Sequence, residues 1–268
     1  MVKQDTLDST RVQKARAYPG RDSAREQLRM AGFVQRDFLP DKLPNTDRLR
    51  WAVTFMPAEW VAGDIYDVTR LDENHIGFYI VDVVGHGVPA ALLTMFIKQA
   101  LVMRETIRNK YRIFSPSDVL GNLNNRMLQQ KLSGHQFATC CYCLLDTRTL
   151  ELTYARAGHP LPVVIKSGCE LVQLDTAGPL LGVFEDAQFA ESSIRLETGD
   201  KFLLYSDGVE PLIGGVEKDS SFRFSPDFCK SADGSIATMN ERFRWLTLYQ
   251  ETTPPQVDDA TTVGLEIL

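Results

Sequence analysis

Several aspartates lie next to glycine at points where apolar runs of this sequence begin or end. They are Asp64 after Gly63, Asp82 at the end of an apolar run, Asp207 before Gly208, and the pair Asp258-Asp259. A turn or a helix cap explains any one of them taken singly. Together they place carboxylates at the edges of the core, where an unpaired charge is expensive. No Lys or Arg lies within two residues of these positions, so local ion pairing offers no substitute.

Cations would relieve the cost of such a cluster of carboxylates. Mg²⁺ and Mn²⁺ prefer oxygen ligands and keep some of their bound waters. Two ions of this kind need several carboxylates that are brought together from separate strands. The aspartates therefore predict a site for hard divalent cations, built from distant parts of the chain.

The stretch VDVVGHGVPAALL, residues 81–93, also has the layout of a nucleotide-binding turn. A strand runs into Gly85-x-Gly87 and then into a helix. A dinucleotide fold further requires an acidic residue at the end of a second strand about 20 residues later. The candidate, Glu105, falls inside a helical pattern. An NAD-linked oxidoreductase stays an alternative, one that would bind its cofactor and be indifferent to chelators.

Other phosphate and ester chemistries lack their motifs. The sequence has no G-x-x-x-x-G-K-[ST] loop and no G-x-S-x-G elbow, and its four histidines have no zinc spacing. A covalent serine nucleophile and a zinc site are therefore not indicated.

The chain from Arg50 onward is rich in short β patterns. Strands are predicted near residues 50–56, 64–70, 75–83, 137–145, 150–156, 161–166, 171–174, 190–196, 201–206 and 261–267, and helices over 88–108, 116–132 and 235–249. Short turns join most consecutive strands, and two helices lie together between strand groups. This order favours an α+β sandwich of antiparallel sheets over a parallel sheet.

The N-terminal part is predicted to be separate from this domain. We expect a flexible tail over residues 1–21, a linker helix within 22–45 and the main domain over 46–268. The helix carries an apolar stripe at roughly helical spacing, formed by Leu28, Ala31, Val34 and Phe38. Such a stripe needs a partner, either the following domain or a second copy of itself.

The charge balance and the hydropathy limit the partners. The chain has 29 Lys and Arg against 35 Asp and Glu, a net charge of −6, which argues against nucleic acid as a partner. Residues 1–20 lack the apolar core of a signal peptide, and no run of about 18 apolar residues occurs. We therefore expect a cytoplasmic protein without a membrane segment.

From about residue 24 onward, short motifs follow one another in a recognisable order. They are a helix ending in Leu39-Pro40, Val61-Ala62-Gly63-Asp64-Ile65-Tyr66-Asp67, Asp82-Val83-Val84-Gly85-His86-Gly87, Phe137-Ala138-Thr139, Ala157-Gly158-His159-Pro160, Gly178-Pro179-Leu180-Leu181-Gly182, Tyr205-Ser206-Asp207-Gly208 and Asp258-Asp259-Ala260-Thr261. In order and spacing they resemble the SpoIIE/RsbU-type branch of the PPM (PP2C-like) metal-dependent serine/threonine phosphatases. The resemblance covers nearly the whole chain.

The resemblance implies a PP2C-like β-sandwich flanked by helices, with two Mn²⁺ or Mg²⁺ ions at one end. The metal ligands that it implies are Asp64, Asp82 as the bridge between the ions, the backbone carbonyl of Val83, Asp207, Asp258 and Asp259. Within the last pair, Asp258 is preferred over Asp259. Two ions held in this way hydrolyse a phosphate ester without a covalent phosphoenzyme.

The proton for the leaving oxygen has several possible sources. Beside Asp82, the catalytic candidate is His86, because it lies on the same loop, although related proteins often have Lys there. A water on a metal could serve instead, and His86 would then be structural or electrostatic. His159 is expected to anchor its turn by hydrogen bonds rather than to bind a metal.

The implied activity is a protein phosphatase acting on phosphoserine or phosphothreonine. The resemblance implies a STAS-domain anti-sigma factor antagonist as its substrate, in a bacterial partner-switching pathway. The alternative is a non-catalytic adaptor that binds the same partner without turnover. A homodimer through the N-terminal helix is a further expectation. The stretch 213–235 is expected to be a mobile flap or a plain surface excursion.

Overall fold

The structure is a computed structural model that describes residues 19–131, 136–216, 222–249 and 258–268. The predicted tail therefore lies, up to residue 18, outside the described residues. The helices and strands are, in chain order, α1 (Pro19–Asp37), β1 (Leu49–Met56), β2 (Asp64–Arg70), β3 (His75–Val83), α2 (Gly87–Ala100), β4 (Arg104–Ile107), β5 (Lys110–Ile113), α3 (Pro116–Gln129), β6 (Ala138–Asp146), β7 (Glu151–Ala157), β8 (Val163–Ile165), β9 (Leu171–Gln173), β10 (Glu191–Arg195), β11 (Lys201–Tyr205), α4 (Glu210–Ile213), β12 (Gly214–Val216), β13 (Phe222–Phe224), α5 (Pro226–Ala232), α6 (Ile236–Tyr249) and β14 (Ala260–Ile267).

Two five-stranded sheets form the centre of the molecule. One has the strand order β1-β14-β11-β8-β9, and the other has the order β10-β7-β6-β3-β2. Neighbouring strands in both sheets are antiparallel. Two small hairpins, β4-β5 and β12-β13, lie outside these sheets. The predicted sandwich of antiparallel sheets is confirmed.

Three apolar clusters define the layers of this sandwich. Between the sheets, the ring of Phe78 on β3 meets those of Trp51 and Phe202 from the opposite sheet edge to face, with centroids 4.9 and 5.7 Å apart. A second cluster joins α2 and α3 to β3 and β6. A third joins α5 and α6 to β11 and β14. The order of layers is therefore helices, sheet, sheet, helices, as expected for burying both faces of each sheet.

The alternation of side chains along β2 and β3 directs two aspartates into the space between the sheets. On β3, Ile76, Phe78 and Ile80 belong to the intersheet core. Side chains two residues apart share a face, so Asp82 continues this row at the end of the strand. On β2, Asp64 likewise begins the row of Tyr66 and Val68. Both carboxylates thus lie at one end of the sandwich.

The predicted helix over 88–108 is too long. Helix α2 ends at Ala100, and the chain then forms the hairpin of β4 and β5. Met103 and Ile107, four residues apart, imitate a helical stripe, yet Ile107 is exposed. The turn contains Arg108 with φ 56°, followed by Asn109, a residue type that favours turns. Local turn chemistry therefore outweighs the apolar spacing in this segment.

Helix α1 begins at Pro19, three residues before the predicted start, and it presents an unexpected face to the domain. Its buried residues are Gly32 and Gln35, whereas Val34 and Phe38 of the predicted stripe are exposed. Gly32 lies so close to the carbonyl oxygen of Trp60 that a β carbon would not fit. The domain therefore covers a face adjacent to the apolar stripe, in which Leu28 is half-buried and Ala31, Val34 and Phe38 are exposed.

The described parts of the stretch 213–235 pack into the core and do not merely cover its surface. Ile213, Phe228 and Ala232 are buried in the third cluster, and the rings of Phe224 and Phe228 are in contact. Residues 217–221, in the middle of this stretch, lie outside the described residues. The described parts therefore belong to the helical layer on the β11-β14 sheet.

No helix in the described parts of the chain is both long and apolar enough to cross a membrane.

Candidate metal centre

The structure brings Asp64 and Asp82 directly opposite each other on neighbouring strands. The β2-β3 ladder pairs them, and β3 continues the register so that Asp82 also pairs with Thr139. Directly opposite residues of an antiparallel pair have β carbons about 4.5–5.5 Å apart. Asp64 is almost completely buried, with 1% of its surface exposed, and Asp82 is partly exposed. One aspartate is thus at the floor of the site and the other nearer its opening.

The opposite sheet supplies Asp207, Asp258 and Asp259 at the same end of the sandwich. Asp207 begins a 3₁₀ turn after β11, and the aspartate pair immediately precedes β14. These strands are neighbours, and Gly208 packs so closely on the carbonyl of Asp259 that a β carbon would clash. The Ser206 hydroxyl also accepts a hydrogen bond from the backbone N–H of Thr261, at 2.9 Å. The two acidic turns are therefore fixed against each other.

Asp259 connects the two sheets through backbone hydrogen bonds. Its Oδ1 accepts from the N–H of Ala58 at 2.7 Å, and its Oδ2 accepts from the N–H of Gly63 at 2.6 Å. Gly63 directly precedes Asp64. Asp259 therefore holds the turn that presents Asp64, and both of its carboxylate oxygens are engaged in doing so.

The electrostatics of the site reflect buried like charges. Burial and then the charge of Asp82 raise the pKa of Asp64 well above its usual value. Burial raises the pKa of Asp82 to about 8, with further contributions from Asp207, Asp258 and Asp259. Loss of hydration and repulsion between carboxylates both disfavour the ionised forms.

The other sheet contributes the same effect. Burial and then the charge of Asp258 raise the pKa of Asp207, and burial raises that of Asp259 against the opposing effect of its backbone donors. Within the described residues, no Lys, Arg or His forms a salt bridge with Asp64, Asp82, Asp207 or Asp259. Neutralising charge must therefore come from protons or from bound cations.

The donor set fits hard divalent cations. Oδ2 of Asp64 is buried without a hydrogen-bond partner among the described residues. A β carbon on Gly63 would lie 3.3 Å from the carbonyl oxygen of Val83, so this carbonyl faces the turn that precedes Asp64. No three acidic, His or Cys side chains of the described residues come close enough to enclose one ion by themselves. Mg²⁺ commonly takes only one or two carboxylates and completes its shell with water, which this open arrangement permits.

The remaining polar residues of the predicted motifs lie around this cluster. His86 is the exposed N-cap residue of α2 and makes no side-chain cap. His159 is buried, its Nδ1 lies 2.8 Å from the hydroxyl of Thr139, and burial lowers its pKa to about 3, so the ring is neutral. Asp67 forms a 2.8 Å ion pair with Lys98 and lies outside the carboxylate cluster. The ring of His159 thus hydrogen-bonds to strand β6 and not within its own turn.

Sequence reasoning missed the role of Gln35. Its side-chain amide donates to the carbonyl of Ala62 and its oxygen accepts from the N–H of Ala62, each at 2.8 Å. The amide also donates to the hydroxyl of Thr94 on α2, at 3.0 Å. The sequence does contain a signal for this role. Gln35 lies one helical turn after Gly32, on the face next to the predicted apolar stripe. Helix α1 is thereby tied to the residue just before Gly63-Asp64.

A comparison with known proteins assigns the chain to a family. The family model of Stage II sporulation protein E (SpoIIE) matches residues 72–267, most of the chain. The chain belongs to the SpoIIE family. The predicted SpoIIE/RsbU-type, PP2C-like character of the sequence is thereby confirmed.

Two curated relatives of this SpoIIE-family chain come from Bacillus subtilis (strain 168). Phosphoserine phosphatase RsbU is 33% identical over 187 residues, which are 69% of this chain and 53% of RsbU. Phosphoserine phosphatase RsbP is 27% identical over 248 residues, which are 91% of this chain and 59% of RsbP. The chain thus spans between half and three-fifths of the length of these relatives.

A solved structure supports the same fold for the SpoIIE-family chain. The SiaA-PP2C domain of Pseudomonas aeruginosa superposes with a TM-score of 0.74 at 25% identity, covering 93% of this chain and 99% of that domain. RsbX in complex with magnesium superposes with a TM-score of 0.61 over 85% of this chain and 99% of RsbX, but at 16% identity the likeness shows the fold alone.

The crowded carboxylates predict a stability that falls as pH rises when metal is removed. The pKa of Asp82 is about 8 in the folded chain and about 3.9 in an unfolded one. The folded state therefore binds more protons between these values, and stability is lost as pH rises from about 4 to about 8. In EDTA, Asp82→Asn should flatten this slope and raise the melting temperature at pH 8 by several degrees. Thermal melts from pH 5 to pH 8.5 measure both effects.

Asp186→Asn, at an exposed position, is the matched control and should keep the wild-type slope. Added Mn²⁺ should stabilise the wild type more at pH 8 than at pH 5, because bound cations require ionised carboxylates. If the melting temperatures of wild type and Asp82→Asn changed equally with pH in EDTA, repulsion between the buried carboxylates would be contradicted.

The Gln35 contacts predict a loss of stability on substitution. Gln35→Leu leaves the buried N–H and C=O of Ala62 without partners, at about 1–3 kcal/mol for each group. We expect the free energy of unfolding to fall by about 2–4 kcal/mol in urea titrations. Gln27→Leu, at an exposed position of the same helix, should change it by less than about 0.5 kcal/mol. Equal effects of the two substitutions would rule out the proposed contact.

Proposed function

We propose that the chain is a divalent-metal-dependent protein phosphatase that hydrolyses phosphoserine or phosphothreonine on a regulatory protein. The observation that carries the proposal is the cluster of acidic side chains from both sheets, Asp64, Asp82, Asp207 and Asp258, at one end of the sandwich. Burial and mutual repulsion raise the pKa values of three of them. The names of the curated relatives RsbU and RsbP support the choice of a phosphoserine.

We propose Asp64, Asp82, Asp207, Asp258 and the carbonyl of Val83 as the residues that would hold two Mn²⁺ or Mg²⁺ ions. Such a pair supplies a water of lowered pKa and offsets the charge that develops on the phosphoryl oxygens. Asp82 lies within electrostatic reach of Asp64 on its own sheet and of Asp207 and Asp258 on the other, so it would serve the ligands of both sheets. We assign Asp259 a positioning role instead of a ligand role, because both of its oxygens hold backbone N–H groups of the 58–63 segment.

His86 is the proposed proton donor to the leaving oxygen. Its ring is exposed at the start of α2, four residues after Asp82, and no hydrogen bond to another described residue holds it. An exposed imidazole on the loop that follows Asp82 would be placed to give a proton to the leaving oxygen. A positioned acid of this kind contributes typically about 10²–10⁴-fold to the rate.

We further propose a STAS-domain protein of a partner-switching pathway as the substrate. Support comes from the RsbU and RsbP relatives and from a structural neighbour titled "The crystal structure of the RsbU and RsbW domains of Rv1364c from Mycobacterium tuberculosis". That neighbour superposes with a TM-score of 0.64 at 25% identity, over 84% of this chain and 61% of that chain. The substrate is then a folded protein, and the exposed mouth of the site suits it.

The proposal predicts manganese-dependent hydrolysis of p-nitrophenyl phosphate that EDTA abolishes. Asp82→Asn and Asp207→Asn should each lower kcat/KM by at least about 10²-fold, because each removes a charge that holds the ions. His86→Ala should lower the rate on a phosphoserine protein, and lower it less on p-nitrophenyl phosphate, whose leaving group needs no proton. The exposed Asp186→Asn is the matched control and should keep wild-type activity.

Phosphorylated STAS-domain proteins test the substrate in the same assay, with phosphate loss followed by intact-protein mass spectrometry. Binding of such a protein without turnover, in folded chain that also binds Mn²⁺, would favour the non-catalytic adaptor. Hydrolysis that is indifferent to EDTA would contradict the metal assignment.

We also propose that α1 pairs with α1 of a second copy. Met30, Phe33 and Val34 are 52%, 47% and 54% exposed, although they are apolar and close together on one helix. Exposed apolar stripes of this kind mark protein contact sites. Gly32 and Gln35 pack on the domain from the opposite side of the helix, so Met30, Phe33 and Val34 are available to a partner.

The pairing predicts a dimer of the 30.1 kDa chain in solution. Phe33→Glu with Val34→Glu should convert it to a monomer in multi-angle light scattering, because two charges would be buried in the contact. Gln27→Glu, an exposed polar position on the same helix, should leave the mass unchanged. A wild-type chain that is monomeric at about 100 μM would overturn the pairing.

A further inference from the structure

A groove of about 490 Å³ runs along the free edge of the β1-β14 sheet. Its floor is residues 53–57 of β1 and the turn after it, and its walls are Arg36 and Leu39 at the end of α1 and Arg244 and Leu248 on α6. We call this surface the β1 groove.

The backbone of β1 is open within this groove. In the first half of the strand, the outward N–H groups are capped, since Leu49 donates to Oγ1 of Thr46 and Trp51 to Oδ1 of Asn45. Outward backbone groups alternate along a strand, so Val53 and Phe55 also direct their N–H and C=O away from β14. Among the described residues, none bonds to them. The edge thus offers a short stretch of unused ladder positions, as sites of strand addition do.

The charge of the groove is opposite to that of the chain as a whole. Arg36 and Arg244 form no ion pair and no side-chain hydrogen bond within the described part of the chain. No carboxylate of the described residues lines the groove. Two unpaired guanidinium groups beside an open strand edge favour an extended segment that carries negative charge.

We propose that the β1 groove binds an extended acidic segment of another protein as an added strand on β1. Backbone bonds to Val53 and Phe55 would supply pairing, Arg36 and Arg244 would select acidic side chains, and Leu39 would contact apolar ones. The inference does not depend on the proposed hydrolysis, because strand addition needs no metal. The groove ends near Ala58, which Asp259 holds, so a bound segment runs toward the carboxylate cluster.

Other occupants fit this surface less well. Residues 1–18 carry four Lys and Arg against two Asp, which is the wrong charge for two arginines. Residues 250–257 include two adjacent prolines, which cannot donate backbone hydrogen bonds to a strand edge. A second copy would place each pair of arginines against its counterpart. An acidic segment from a different protein avoids all three conflicts.

The experiment uses a fluorescein-labelled, blocked octapeptide of alternating glutamate and valine, titrated with the full chain at low salt. Fluorescence anisotropy should show saturable binding, and the matching lysine-valine peptide should not bind. Arg36→Glu with Arg244→Glu should weaken binding at least about tenfold. Arg25→Glu with Arg148→Glu changes the net charge equally at exposed positions elsewhere and should alter binding less than about twofold.

Amide hydrogen exchange then tests strand addition itself. At saturating peptide, exchange of the Val53 and Phe55 amides should slow at least about tenfold, while the Trp51 amide, already bonded to Asn45, should not change. A peptide of the same sequence with N-methylated peptide bonds keeps the charge but should give no protection. Circular dichroism checks the fold of each variant, and Arg36→Gln with Arg244→Gln replaces the reversed pair if that pair unfolds.

Three outcomes would overturn the inference. They are the absence of saturable binding by the folded wild type, equal weakening by the groove and control substitutions, and binding without protection of Val53 and Phe55. None of these outcomes bears on phosphate hydrolysis, which the manganese assay measures separately.

Discussion

The fold places several like charges at one end of an apolar interior, and the surrounding structure has to accommodate them. Asp64 and Asp82 occupy the last positions of side-chain rows that are otherwise filled by Tyr66, Phe78 and Ile80. A buried carboxylate without a basic partner costs several kcal/mol unless it takes up a proton or a cation. Folding the sandwich therefore favours the uptake of protons or cations at one end. The raised pKa values of Asp64 and Asp82 have the same cause.

Hydrogen bonds and core packing hold the backbone around the cluster in place against the repulsion between its carboxylates. The carboxylate of Asp259 holds the segment before Asp64 from the opposite sheet, and Ser206 joins the ends of β11 and β14. Phe78 packs against Trp51 and Phe202 further along the same space. Because the acidic residues come from both sheets, the site exists only while the sheets stay packed. Its geometry is thus a property of the core and not of any single loop.

The sequence was sufficient for the features that depend on local pattern. Apolar alternation predicted the strands that carry Asp64 and Asp82, and the glycine-flanked turns predicted where the acidic residues would lie. It failed where the same spacing has two interpretations. Met103 and Ile107 fit a helix by spacing, yet the Arg108-Asn109 turn makes a hairpin. The apolar stripe of α1 left two partners open, the domain or a second copy, and the face that packs on the domain is the one with Gly32 and Gln35. The close approach of Gly32 to Trp60 and the burial of the Gln35 amide depend on tertiary contacts. The spacing of apolar residues in the sequence does not predict such contacts.

Helix α1 has one exposed apolar surface and one surface that contacts the segment just before Asp64. One surface exposes Phe33 and Val34, while the other holds the backbone of Ala62 through Gln35. Ala62 is followed by Gly63, whose N–H is bound by Asp259, and then by Asp64. Coupling between distant sites ordinarily requires a chain of packed residues with two arrangements. Here the connection is one helix and one turn, joined by the amide of Gln35 and by the close approach of Gly32 to Trp60.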